Sequence, residues 1–203
     1  MTRYGHIGWR VIAVVAFAGT AALAVTLTRV PVHPAPATLS SSLTQTPCAT
    51  SGLEAWIGLG TTGSPPGTGQ RPQLVAGTTY TLEFTNVSSR ACRLFGYPEV
   101  TAYADAQVGS AAVDDTSVRP QPVMLEPGAT AHAVLRITGT GRFQPNTCAQ
   151  VTAPELRVML PDQARPSFVP IHLAACSRKG PAFMSVQPIQ PRAGIPGFTM
   201  RRP

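Results

Sequence analysis

Residues 80–98 constrain the fold more than any other stretch of the chain. Tyr80, Leu82 and Phe84 alternate with Thr81, Glu83 and Thr85, so one face of this segment is apolar and the other polar, as a half-buried strand requires. Asn86, Val87, Ser88 and Ser89 follow, a run in which Asn and Ser side chains bond the local backbone and favour a turn. Cys92 and Leu94 then restart the alternation. Gly96, Tyr97 and Pro98 end it, because proline lacks the N–H a ladder needs and keeps the residue before it extended. The stretch predicts a hairpin, and a chain organised around it is a β protein.

The rest of the sequence extends the pattern. Strand-like runs recur at residues 53–59, 99–103, 123–125, 131–137, 156–160, 168–173 and 183–186, separated by turn formers such as Glu126-Pro127-Gly128. Twenty-one prolines and 18 glycines, with only 12% charged residues, oppose a helical bundle and favour short strands joined by turns. A chain of 203 residues allows one core of about 140–150 residues plus appendages, and no second globular domain. The expected fold class is all-β, a sandwich of roughly seven or eight strands. Residues 104–118, with Asp105, Asp114 and Asp115, read as a polar excursion between strands, and His132 falls on the solvent face of its strand.

Arg3 and Arg10 precede residues 11–28, an uncharged run of 18 residues rich in Ala and Val. Such a run is an export signal. Uncleaved, it is just long enough to span a bilayer as an N-terminal helix; cleaved after the Ala22-x-Ala24 pattern, it releases a secreted domain. Its length exceeds the usual signal-peptide core and favours the anchor, with the basic N-terminal side in the cytoplasm. The first cysteine, Cys48, comes well after the apolar run, so lipid attachment is not expected. Residues 31–47 are mostly Pro, Ser, Thr and Ala and bury too little to fold, which makes them an extended spacer. The expected organisation is a signal peptide or signal anchor over residues 1–30, this spacer, a β-sandwich domain over residues 48–190 and a disordered tail over residues 191–203. The domain would stand outside the cytoplasmic membrane, attached through its N-terminal helix or secreted.

The formal charge of +7 does not point to nucleic acid. Residues 43–190 carry ten basic and nine acidic side chains, a net +1; the other six arginines, Arg3, Arg10, Arg29, Arg192, Arg201 and Arg202, sit in the two terminal segments. Nucleic-acid binders need a concentrated basic face with stacking aromatics. The folded part has neither pattern.

Four cysteines in an exported chain predict two disulfides. The runs at residues 156–160 and 168–173 form a hairpin around Pro161-Asp162-Gln163-Ala164-Arg165-Pro166. Cys148 lies just before its first strand and Cys176 just after its second, positions that face each other across an antiparallel pair. Cys48 is left for Cys92. Phe168, Ile171 and Leu173 are read as the apolar residues of the second strand.

No catalytic constellation emerges, and the chain is read as non-enzymatic. It has no Gly-x-Ser-x-Gly elbow, its cysteines are expected oxidised, and His6, His33, His132 and His172 are scattered. His172 reads as a strand residue with a bonded ring. The glycines of residues 60–72 lack the lysine and following helix of a phosphate loop, and Pro65-Pro66 removes backbone donors. Asp114-Asp115 lacks a calcium-loop frame and reads as solvated. No cofactor is expected. The material for a copper or small-molecule site is Met124, Met159, Met184, His132 and His172, and methionine is usually core filling. A hydrolase built on buried carboxylates is the remaining alternative.

Several of these motifs resemble one family. Leu82-x-Phe-Thr-Asn86, Cys92-x-Leu94-x-Gly-Tyr-Pro98, Leu125-x-Pro-Gly128, the late Cys148, Leu156-x-Val158 and the terminal Val186 are together similar to the exported bacterial domain of unknown function 4232. The resemblance implies an immunoglobulin-like β-sandwich, exported or membrane-attached, often behind a low-complexity spacer, and it implies no activity. The expected function is a non-enzymatic binding or structural role in the cell envelope, with an envelope protein or polymer as partner.

Overall fold

The computed structural model describes residues 46–58 and 71–195. The predicted membrane or export helix, nearly all of the spacer with His33, most of the Gly/Pro-rich loop and the end of the tail lie outside the described residues. Among the described residues no helix is long and apolar enough to cross a membrane.

The described chain is all-β. Its strands are β1 (Leu53–Gly58), β2 (Gln73–Leu74), β3 (Thr79–Asn86), β4 (Cys92–Leu94), β5 (Glu99–Ala104), β6 (Ala106–Val108), β7 (Val113–Asp114), β8 (Val123–Leu125), β9 (Thr130–Ile137), β10 (Gln150–Met159), β11 (Ser167–Cys176), β12 (Met184–Val186) and β13 (Gln190–Pro191), with a 3-10 turn at Thr50–Gly52 and one α-helical turn, α1 (Pro145–Cys148). One sheet runs β1-β3-β9-β12-β7, and β13 takes the other half of the β9 edge. The second runs β2-β11-β10-β5-β6, and β4 with β8 makes a two-stranded ladder. Alternation puts Leu82, Phe84, Ala133 and Leu135 of the first sheet and Val100, Leu156, Ile171 and Leu173 of the second into one core, all at 1% exposure or less. Each large apolar side chain so buried stabilises the fold by about 1.5–3 kcal/mol.

Where the strands differ from expectation, the reason is pairing rather than periodicity. β3 and β4 do not form a hairpin. β3 pairs with β1, from Leu53↔Asn86 to Gly58↔Thr81, and with β9, from Thr79↔Arg136 to Thr85↔Thr130, whereas β4 leaves to pair with β8, Cys92 opposite Leu125. The turn chemistry at Asn86 is present and does a different job. Asn86 is fully buried. Its Oδ1 accepts the Ser88 N–H and hydroxyl, and its Nδ2 donates to the Arg90 and Leu125 carbonyls at 2.8 and 2.9 Å. A side chain tied to β8 as well as to its own turn sends the chain out of the sheet.

The polar face of β3 is also buried, which alternation alone does not reveal. Trp56 Nε1 donates to Thr85 Oγ1 at 3.2 Å, and that hydroxyl shares a 3.0 Å bond with Thr130. Glu83, with no exposed surface, lies beneath residues 187–195. The beginning of the expected tail is therefore folded through Ile195: β13 pairs with β9, Arg192 turns at φ +70°, and the Gly194 N–H reaches both Glu83 oxygens at 3.0 and 3.1 Å. Ile189 and Ile195 are buried. His132, expected in solvent, is half-buried under this strap and donates through Nδ1 to the Arg192 carbonyl at 2.9 Å.

Two further differences are local. The excursion at residues 104–118 contributes β6 and β7, and β2 and β13 are also unexpected, so the strands number thirteen among the described residues rather than seven or eight; pieces of two or three residues are too short to show a period. Phe168 does not share a face with Ile171 and Leu173. An odd spacing along a strand reverses the face, and Phe168 is 45% exposed against the Tyr103 ring, 4.9 Å between centroids.

Candidate functional site

The structure does not gather the metal or small-molecule candidates into one place. Met184 is core on β12, Met124 is exposed on β8 and Met159 ends β10. His132 lies under the strap of the first sheet, and His172 is exposed on β11 of the second. Among the described residues no three His, Cys, Asp or Glu side chains cluster as metal ligands. Asp114 is on edge strand β7 rather than in a loop. Asp115 follows it, its backbone N–H bonded to the Val186 carbonyl at 2.8 Å. Bonds from the Ser117 side chain and backbone, then from Gln187, hold the Asp115 pKa below its ordinary 3.8, with Arg136 adding to the effect. This is a surface turn that prefers its charged form.

The cysteines are joined as Cys48–Cys92 and Cys148–Cys176. The second bridge forms at the open end of the β10–β11 hairpin, where Gln150↔Cys176 is the last ladder pair and Cys148 sits two residues earlier, at the end of α1. Both disulfides are consistent with an oxidising, extracytoplasmic compartment.

Beside the second bridge is an open cleft of about 690 Å³, lined by residues 140–145, 148–151 and Ser177. Its construction starts from Pro145 at the first helical position of α1, where the missing N–H is no loss and the fixed φ suits a helix. Ala149 ends the turn in the left-handed region, φ +46°, a conformation costing an L-residue roughly 1–2 kcal/mol. It is held there by its N–H to the Pro145 carbonyl at 2.8 Å and by its own carbonyl, which accepts the Ser177 N–H and hydroxyl. Across the floor Thr140 Oγ1 donates to Gln150 Oε1 at 2.6 Å. Val151 remains 40% exposed on the wall. A smaller hollow of about 370 Å³ flanks the first bridge between Pro47 and Arg90.

The cleft offers binding chemistry. Among the described residues that line it, Arg142 is the one charged side chain, and both hydroxyls are committed to oxygen acceptors. The segment was not singled out in the sequence. Its Gly139, Gly141 and Pro145 signal a loop, but only the disulfide and the β10–β11 register turn that loop into a wall.

A family model described as domain of unknown function (DUF4232) matches residues 48–190. The chain belongs to the DUF4232 family. No curated protein and no solved structure matches it. The DUF4232 match includes both disulfides and every residue lining the cleft.

Proposed function

We propose that this DUF4232 chain is a non-enzymatic binding module of the cell envelope, an immunoglobulin-like β-sandwich held outside the cytoplasmic membrane by an N-terminal helix and a spacer. The observation that carries the reading is the cleft at the base of the β10–β11 hairpin, whose two walls are joined by Cys148–Cys176. A crosslinked, left-handed corner at Ala149 is preorganised, and preorganisation lowers the ordering cost of binding. The assignment to binding is supported by the lining itself, which presents a cation, amides and apolar side chains without a paired nucleophile and base. Export is supported by the two disulfides and by the basic-then-apolar sequence of residues 1–30. The partner is an envelope protein or polymer.

The test uses the full-length chain in its native envelope, with a photo-crosslinking amino acid at position 151 and a control at position 124. Adducts formed at 151 and absent at 124, together with thiols that resist a mass tag until reductant is added, are the expected result. Free thiols in the untreated envelope, or adducts at both positions alike, reject the reading. Stoichiometric copper or zinc on the purified chain would redirect it toward metal handling.

A further inference from the structure

We propose that the cleft beside Cys148–Cys176 is a site for a small organic carboxylate carried on an apolar body; this rests on the reading of the chain as a binding module and names the ligand class of the same cleft. Several polar groups of the cleft are already occupied. Five carbonyls of the wall accept bonds within it: Thr140 from the Phe143 N–H, Gln144 from the Thr147 and Cys148 N–H groups, Pro145 from the Ala149 N–H, Cys148 from the Arg178 N–H, and Ala149 from Ser177. Gln150 Oε1 is occupied by the Thr140 hydroxyl. The Arg142 guanidinium and the side-chain N–H groups of Gln144 and Gln150, all on exposed residues, have no protein partner among the described residues. These side-chain donors are open to a ligand made of acceptors, and a guanidinium fork matches a carboxylate in both spacing and charge.

Charge around the cleft has the same sign. Residues 138–151 and 174–183 carry Arg142, Arg178 and Lys179 and no Asp or Glu, although residues 43–190 as a whole are near neutrality. The neighbouring segments bring no carboxylate either. Gly139 lies against Ala76, and Gly109 against the Cys176 backbone; residues 75–78 and 106–112 are uncharged. The remaining lining, Phe143, Pro145 and Val151, is apolar. One guanidinium with two amides suits a single negative charge, and the apolar wall suits a hydrocarbon body attached to it. Two sources share that chemistry, the C-terminus of an envelope protein and a free organic acid.

Amide chemical shifts of the full-length chain in lipid nanodiscs test the site, with N-acetyl-leucine as the peptide-terminus probe, 4-methylpentanoate as the free-acid probe and N-acetyl-leucine amide as the uncharged control. The expected result is saturable shifts confined to residues 140–151 and Ser177 with either acid, the tighter of the two identifying the source. The amide should bind several-fold more weakly. Arg142→Ala should weaken the acids about fivefold or more and leave the amide unchanged, and Val151→Asn should weaken acid and amide together. Arg90→Ala, beside the first bridge, should change nothing. Equal binding of acid and amide, or indifference to Arg142→Ala, overturns the carboxylate assignment while keeping the cleft as a binding site. Shifts that avoid the cleft altogether overturn both.

Discussion

Asn86 shows how one side chain can decide where a strand goes. Its amide makes four hydrogen bonds from a fully buried position, two of them to carbonyls, one in its own turn and one on β8. Asn86→Ala deletes all four and leaves the buried Leu125 carbonyl without that donor. The expected loss is about 2–4 kcal/mol, read as a lower urea midpoint at an unchanged m-value. At Asp115 the relevant variable is pH. Its pKa in the folded chain is lowered by Ser117 and Gln187, so the native state favours the ionised form more than the unfolded chain does. The contribution is complete above the unfolded carboxylate pKa and is lost as pH falls through the lower folded value. Asp115→Asn should therefore narrow the stability gap to wild type in acid, below about pH 4, and leave it constant from about pH 6 to 8; a gap that widens in acid contradicts the assignment. The turn-forming character of Asn86 is written in its residue type and in the serines after it. Its bond to β8, which depends on a residue 39 positions away, is not.

Among the elements, the long strands and the short β4, β8 and β12 were legible, and β2, β6, β7 and β13 were not. β3, β9, β10 and β11 each carry eight or ten residues, enough for alternation to be seen, and a period says which residues share a face without saying which strand lies alongside. The two-residue strands β2, β7 and β13 have no period at all. Nor does a sequence show that a polar face will be covered, which is why the strap at residues 187–195 went unseen: its Pro and Gly content was read as disorder, whereas Arg192 turns the chain at φ +70° and Gly194 lets it approach the sheet. A Cβ at Gly194 would overlap Thr81 and His132, so Gly194→Ala should lift the strap off Glu83. Glu83→Gln keeps the size of the side chain and removes the charge that accepts the Gly194 N–H. Both variants should speed amide exchange at residues 190–194, Gly194→Ala more strongly, while β10 and β11 keep their protection. If exchange at the strap is unchanged in Glu83→Gln, the bond to Glu83 is not what holds it.

For the molecule as a whole, the two bridges divide the work between stability and function. Each joins a segment outside the main sheets to a strand, so neither substitutes for the shared core of Leu82, Phe84, Leu156 and Ile171. Their pairing was legible because Cys148 and Cys176 bracket a hairpin; the cleft they support was not, because it exists only once the loop at residues 138–149 is tied across the hairpin's open end. Closing loops of 28 and 44 residues restricts the unfolded chain by about 3.6 and 4.0 kcal/mol in the chain-entropy treatment. Near-equal losses of stability are thus expected for Cys148→Ser/Cys176→Ser and Cys48→Ser/Cys92→Ser in thermal unfolding. The two double variants should part company in the cleft: only the first frees α1 and Ala149, so only it should raise amide exchange across residues 140–150 at temperatures where the strands remain protected. The wall of the cleft depends on a local crosslink, whereas the sandwich depends on the sum of its buried strands, and equal loosening of residues 140–150 in both variants would show that the bridge beside the cleft has no special hold on it.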